Sequence, residues 1–201
     1  DDQDVEHIKL LYFDLALRKF ITAVNDEKIT SRIPVFKITE DGKYVYEHTK
    51  EPVEVENGNI VTYTLRIFNE GTRAGYANAV KDDIPEGLEF LPENEINEEY
   101  RWVMLDENGE ETEDVTEAVA IVTDYLSIEQ QRATGRDNLL KAFDLDTSYH
   151  ISPAGDEPER FESQLTICSA IRLANNGGIA FPICCICWLS APKNMKSSGN
   201  V

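Results

Sequence analysis

No cysteine precedes residue 168, and no aspartate or glutamate follows Glu162. The first absence excludes a disulfide framework for most of the chain. The second divides the chain into an acidic, cysteine-free body and a short tail region holding Cys168, Cys184, Cys185 and Cys187. Basic residues are scarce: Lys and Arg total 19 against 38 Asp and Glu, a formal charge of -19. Such a chain repels phosphate backbones and anionic membrane surfaces, so nucleic acid is not expected as a partner. His7, His48 and His150 are far apart and adjoin no serine or cysteine constellation, which leaves no triad, dyad or zinc-protease motif and no sign of an enzyme. The Cys184, Cys185, Cys187 cluster lacks the two-residue spacer of zinc pairs and has no histidine beside it, so neither a metal nor another cofactor is expected. Long apolar runs are also missing. The longest uncharged stretch, 173–192, is broken by Asn175, Asn176, Gly177, Gly178, Pro182 and Pro192, and no membrane span is expected there. Residues 1–9 hold no basic region followed by an apolar run, so they do not read as a signal peptide.

What the chain does contain is period-two alternation. With 201 residues and 41% hydrophobic composition it can bury one real core. From residue 13, Phe13, Leu15, Leu17, Lys19 and Ile21 fall on one face of an extended segment, with Asp14, Ala16, Arg18, Phe20 and Thr22 on the other. Residues 33–38 and 43–46 read as a hairpin around Asp41-Gly42, and 60–69 (IVTYTLRIFN) is the clearest strand. Further strands are predicted over 76–82, 88–91, 101–105, 118–123 and 161–173, with a bend at Pro85 and Gly87 and a solvated acidic loop over 106–117. Helix signals are confined to a turn near 93–100 and to 127–143, where Ser127 is a candidate N-cap. Several short strands at this spacing predict an all-β chain, an immunoglobulin-like sandwich with a small helical insertion. The expected organisation is a linker over 1–12, a domain over 13–173, and an atypical tail over 174–201, divergent or disordered.

Two charged residues fall where alternation predicts interior. Lys19 shares a face with Phe13, Leu15, Leu17 and Ile21; Asp82 shares one with Val80 and Ile84. Inside one apolar layer a lysine and an acid must pair, or each must give up its charge. Blander uses stand beside this one: Lys19 could snorkel to the sheet edge, and Asp82 could cap the Pro85 turn.

The segments FDLALRK (13–19), VEVENGNIVTYTLRIFNEG (53–71) and KDDIPEGLEF (81–90) together resemble repeat modules of Gram-positive bacterial surface proteins, the DUF11-like and CnaA-like isopeptide domains of adhesins and pilins. The resemblance continues through VTDYLSIEQ (122–130) and DNLLKAFD (137–144). It implies an extracellular, cell-wall-associated stalk module in which a first-strand lysine joins covalently to a last-strand asparagine, assisted by a buried acid. By position Lys19 matches the bond-forming lysine and Asp82 the assisting acid, with Asp83 pointing outward. A low-dielectric pocket would favour the neutral amine as nucleophile and the protonated acid as proton shuttle, and folding would supply proximity. At the third position this chain departs from the pattern. Where the family reads Leu-Thr-Asn-Ile it reads Leu165-Thr166-Ile167-Cys168, and the nearest downstream amides are Asn175 and Asn176. The resemblance thus implies a non-enzymatic spacer whose partners are neighbouring domains of one surface protein. The alternative is an adhesin domain binding a host protein or glycan through loops such as 106–117, or through a platform drawn from Tyr44, Tyr46, Tyr63, Tyr76, Tyr100, Trp102 and Tyr125.

Overall fold

Residues Ile60–Asn69 form a strand, β5, in which almost every side chain is buried, and the rest of the first sheet is arranged about it. The computed structural model describes residues 8–25, 27–38, 44–47, 49, 51–142, 164–174 and 187–190. The other strands are β1 (Leu15–Val24), β2 (Glu27–Lys28), β3 (Val35–Ile38), β4 (Tyr44–Glu47), β6 (Ala79–Asp83), β7 (Leu88–Phe90), β8 (Val103–Leu105), β9 (Glu111–Thr112), β10 (Ala120–Thr123), β11 (Gln164–Leu173) and β12 (Cys187–Ser190). Two short helices, α1 (Glu95–Glu99) and α2 (Ile128–Thr134), complete the described elements. The chain is therefore all-β, as the alternation predicts.

One five-stranded sheet runs in the order β2-β1-β5-β11-β7, a second in the order β12-β6-β10-β8-β9, and β3 pairs with β4 as a separate hairpin. All pairings are antiparallel. The faces that alternation marks as inward meet in one core. Val61, Tyr63, Leu65, Ile67, Ile167 and Ile171 from the first sheet join Val80, Met104 and Ile121 from the second.

The turn after β5 is fixed by Asn69, which is fully buried. Its amide nitrogen donates to the carbonyls of Arg73, Leu140 and Lys141, and its Oδ1 accepts from the Gly71 N–H. Gly71 must be glycine, because a Cβ there would lie 2.4 Å from the Tyr12 carbonyl oxygen and 2.7 Å from the Asp14 nitrogen.

The helical insertion expected over 127–143 is shorter than that. Ser127 caps α2 as predicted, its side chain accepting from the Gln130 N–H, and Gly135 ends the helix with φ 73°. Residues 138–142 are not helical. The Asn138 amide nitrogen is taken by the carbonyls of Tyr125 and Ser127, and Leu140 forms a bridge to Gly75, so tertiary partners hold this segment out of a helix. In the tail, residues 187–190 form β12, which extends the second sheet beside β6. Residue range 106–117, read as a loop, carries the two-residue strand β9.

Candidate functional site

Lys19 reaches the interior because β1 lies beside the central strand. Register places it opposite Leu65 of β5, and Leu65 is in turn opposite Ile167 of β11, so Lys19, Leu65 and Ile167 form one row across the first sheet. Both of its apolar neighbours in that row are fully buried. Asp82 comes from the other sheet, in the middle of β6, where the alternation of Val80 and Asp82 turns both side chains inward. The two meet: the Lys19 ammonium Nζ donates to Asp82 Oδ2, with the lysine side chain 8% exposed and the aspartate 0%. Lys19 Nζ also stands 4.3 Å from the centroid of the Tyr63 ring, whose face attracts the cation. An ion pair, supported by an aromatic ring, thus spans the space between the two sheets.

Burial on this scale is costly for each charge alone and tolerable only for the two together. Asp83, next along β6, is half-buried and pairs with Ala120 on the other alternation phase. Of the residues singled out by sequence, Lys19 and Asp82 are brought together. Asn175 and Asn176 lie outside the described residues, and Ile167, in the position where an acceptor amide would stand, is a core side chain on Lys19's own row. Alternation could not have disclosed β12, which takes the free edge of β6 and sets Cys187 in register opposite Asp82.

A second set of polar contacts guards the far side of β11. Asn97, 1% exposed on α1, donates through its amide nitrogen to the Ala170 and Leu91 carbonyls and accepts the Ala170 N–H at 2.8 Å. Trp102 Nε1 donates to the Cys168 carbonyl at 2.7 Å. Two side chains thereby stand in for a neighbouring strand where β7 does not reach, β7 pairing with β11 only at Ile171–Leu173. Sequence reasoning missed Asn97, since an isolated asparagine in an acidic turn gives no signal of such a role.

Tyr100 follows α1 and packs edge-on against Tyr125 with ring centroids 4.9 Å apart. Its phenol is held well above the tyrosine value of 10.0, first by burial and then by the nearby Cys168 and Glu99. Burial likewise pushes the Cys168 thiol up. The folded state therefore retains the Tyr100 proton that the unfolded chain releases near pH 10. The resulting stability is complete below that pH and is lost as pH rises toward the folded value. The urea midpoint is expected to fall on going above pH 10, and Tyr100→Phe to flatten that decline. An equal decline in both proteins would discard Tyr100 as its source.

Tyr63, Trp102 and Tyr125 are core residues, and Tyr76 accepts a hydrogen bond from Gln131. The side chains of Tyr44 and Tyr46 lie outside the described residues. Asp106 accepts from the backbone N–H groups of Asn108 and Glu110, and Asp114 from the N–H and hydroxyl of Thr116. These bonds hold both carboxyls below the usual range and close local turns. Among the described residues, no group of three or more His, Cys, Asp or Glu side chains could hold a metal ion, and no helix is long and apolar enough to cross a membrane. His7, His48 and His150 lie outside the described residues. Comparison of the chain with family models, with curated proteins and with solved structures gives no match.

Proposed function

We propose that the chain is a non-enzymatic structural module of the immunoglobulin-like sandwich class, a spacer in a cell-surface adhesin or pilin-like protein of a Gram-positive bacterium. The observation that supports this reading is the Lys19–Asp82 contact, which ties two sheets through their common core at the positions where the resembling modules keep their lysine and acid. A spacer must keep its sheets together under load, and a tie buried between them resists both shear and water. Among the described residues the pair is set in an apolar surround, with the Tyr63 ring beside the ammonium and Leu65 and Ile167 on the same row.

In this chain the tie is ionic. Ile167 occupies the row position an acceptor amide would need, and the Lys19 amine is engaged by Asp82. Intact-mass spectrometry of the purified chain tests this directly, with an unaltered mass expected. A mass lower by one ammonia, restored in Lys19→Ala after correction for the substitution, would replace the ion pair by a covalent bond to an asparagine such as Asn175 or Asn176. Glycan arrays and host-protein pull-downs test the spacer role. Retention at background level is expected, whereas saturable binding abolished by changes in the 106–117 loop would overturn it in favour of a binding module.

A further inference from the structure

The turn leading into β5 carries an Asn-Gly step, Asn57-Gly58, and both residues are exposed. Asparagine before glycine is open to self-modification. The glycine nitrogen, once deprotonated, attacks the asparagine Cγ and closes a five-membered ring, and no side chain on the glycine hinders the approach. The hydrogen bonds around this turn show what stands in the way. The Asn59 N–H donates to the Glu56 carbonyl at 3.0 Å and the Glu56 N–H to Asn59 Oδ1 at 2.9 Å, closing the turn, with Gly58 at φ 85°. The Gly58 N–H, which must lose its proton for the attack, points out of the turn and donates to the Leu173 carbonyl at 3.0 Å. The Leu173 N–H returns to the Asn59 carbonyl at 3.0 Å. Leu173 is the last residue of β11 and is held there by its pairing with Leu88 of β7. The nucleophile is therefore engaged by the end of a strand distant in sequence. Asn108-Gly109 differs in this respect. Its Gly109 N–H donates to the Asp106 carbonyl at 3.0 Å, and the Asn108 N–H and side-chain amide both donate to the Asp106 carboxylate, so that turn closes on itself without any strand of the first sheet.

We propose that Asn57 is a site of spontaneous deamidation gated by the end of β11, modified only in molecules in which the Gly58–Leu173 hydrogen bond has opened. Base removes the Gly58 N–H proton, the nitrogen bonds to Asn57 Cγ, and the Cγ–Nδ2 bond breaks as Nδ2 takes up a proton and leaves as ammonia. Water then opens the succinimide at either of its carbonyls, giving aspartate or isoaspartate, so the net reaction is hydrolysis of one side-chain amide. Both products place a new carboxylate beside Glu56, and isoaspartate also adds a methylene to the main chain. That methylene displaces the Gly58 N–H from the Leu173 carbonyl, so an opening of the end of β11 is recorded in covalent form. Base-catalysed amide exchange begins with loss of the same proton from the same nitrogen. The two processes share one gate, a local opening of the fold.

Peptide mapping of the full chain, incubated at neutral to mildly alkaline pH, measures conversion at Asn57, and amide exchange measures the opening at Gly58. The factor by which folding slows conversion, relative to the chain unfolded in urea, is expected to equal the protection factor of the Gly58 amide at the same pH. Leu173→Pro deletes the N–H that bonds Asn59. It is expected to speed conversion at Asn57 and exchange at Gly58 by one common factor, with conversion at Asn108 unchanged. Asn57→Gln, which would have to close a larger ring, is expected to stay unmodified. Conversion in the folded chain at the rate of the unfolded one overturns the proposal, as does slowing that departs from the Gly58 protection factor, a measurement that needs no variant. The succinimide has also lost ammonia, but mapping places it at residues 57–58, and Lys19→Ala leaves it in place. The mass and binding experiments on the spacer reading are therefore independent of these outcomes.

Discussion

Asp82→Ala is expected to lower the stability of the chain by about 3–5 kcal/mol, because it leaves the Lys19 ammonium buried beside Tyr63 without its carboxylate. Removal of the lysine instead, in Lys19→Ala, takes the cation from a carboxylate that is 0% exposed and costs a similar amount. The informative protein is the double variant Lys19→Met, Asp82→Leu. It removes both desolvation costs and fills the space with apolar atoms, and its stability is expected to return to that of the parent or exceed it. Urea denaturation read as a double-mutant cycle measures the coupling. Singles within about 1 kcal/mol of the parent would show a solvated pair of the surface kind, whose value is that small. They would remove the tie between the sheets. Recovery in the double variant would carry a further meaning. A pair that can be replaced without loss of stability is retained for some other reason, and resistance to shear between the sheets is the one the spacer reading supplies. Pulling single molecules from their two ends separates the two quantities, with a lower unfolding force expected for the double variant even where its equilibrium stability is restored.

The inward and outward faces of β1, β5 and β6 were legible in the sequence because a period of two is a property of the strand itself. That is why Lys19 and Asp82 could be assigned to an interior before any contact was known. Their meeting was not legible in the same way, since alternation fixes a face and says nothing of which strand of the other sheet lies across from it. The resemblance to surface-protein modules supplied that pairing as an expectation. Alternation separates the two faces of β5 but does not say how the second is covered: Thr62, Thr64 and Arg66 are 8%, 7% and 9% exposed. The Thr64 hydroxyl bonds that of Thr22 at 2.9 Å, and the Arg66 guanidinium lies 5.3 Å from the Phe20 ring. A strand between two others with polar outer residues can bury them when they find partners, and the pattern of residue types is the same in either case. The helix expected from residue 138 onward is absent over 138–142 for a different reason. Local helix propensity is worth tenths of a kcal/mol per residue, and the buried amide of Asn138 with the Gly75–Leu140 bridge outweighs it. The composition break after Glu162 suggested a tail foreign to the domain, but a strand needs only extended backbone and an open edge. β6 offers that edge to Cys187–Ser190.

Asn97→Ala is the other change with a large expected effect, about 3 kcal/mol or more. The loss follows from three hydrogen bonds and from what their removal leaves behind. The Ala170 N–H and carbonyl are main-chain groups in the buried part of β11, and the Leu91 carbonyl lies at the turn leading to α1. Alanine supplies no replacement for the Ala170 N–H and carbonyl, and each buried group left without a partner costs about 1–3 kcal/mol, whereas the Leu91 carbonyl keeps the Asn94 N–H. Asn97→Asp separates geometry from chemistry. It keeps an acceptor for the Ala170 N–H but turns the amide donor into an oxygen facing two carbonyls, so it is expected to be at least as damaging as alanine. A variant with Asp less harmful than Ala would mean that the donor side of the contact is solvated and carries little. The consequence reaches beyond stability. With Asn97 gone, the stretch of β11 that Asn97 and Trp102 cover becomes an open edge flanked by the apolar core, a site for unwanted pairing with another chain. Asn97→Ala is accordingly expected to show faster amide exchange at Ala170 before global unfolding, and to aggregate at temperatures where Asp82→Ala, although comparably destabilised, unfolds reversibly. Equal aggregation of the two variants would assign the effect to lost stability alone and deny α1 its role as the guard of this edge.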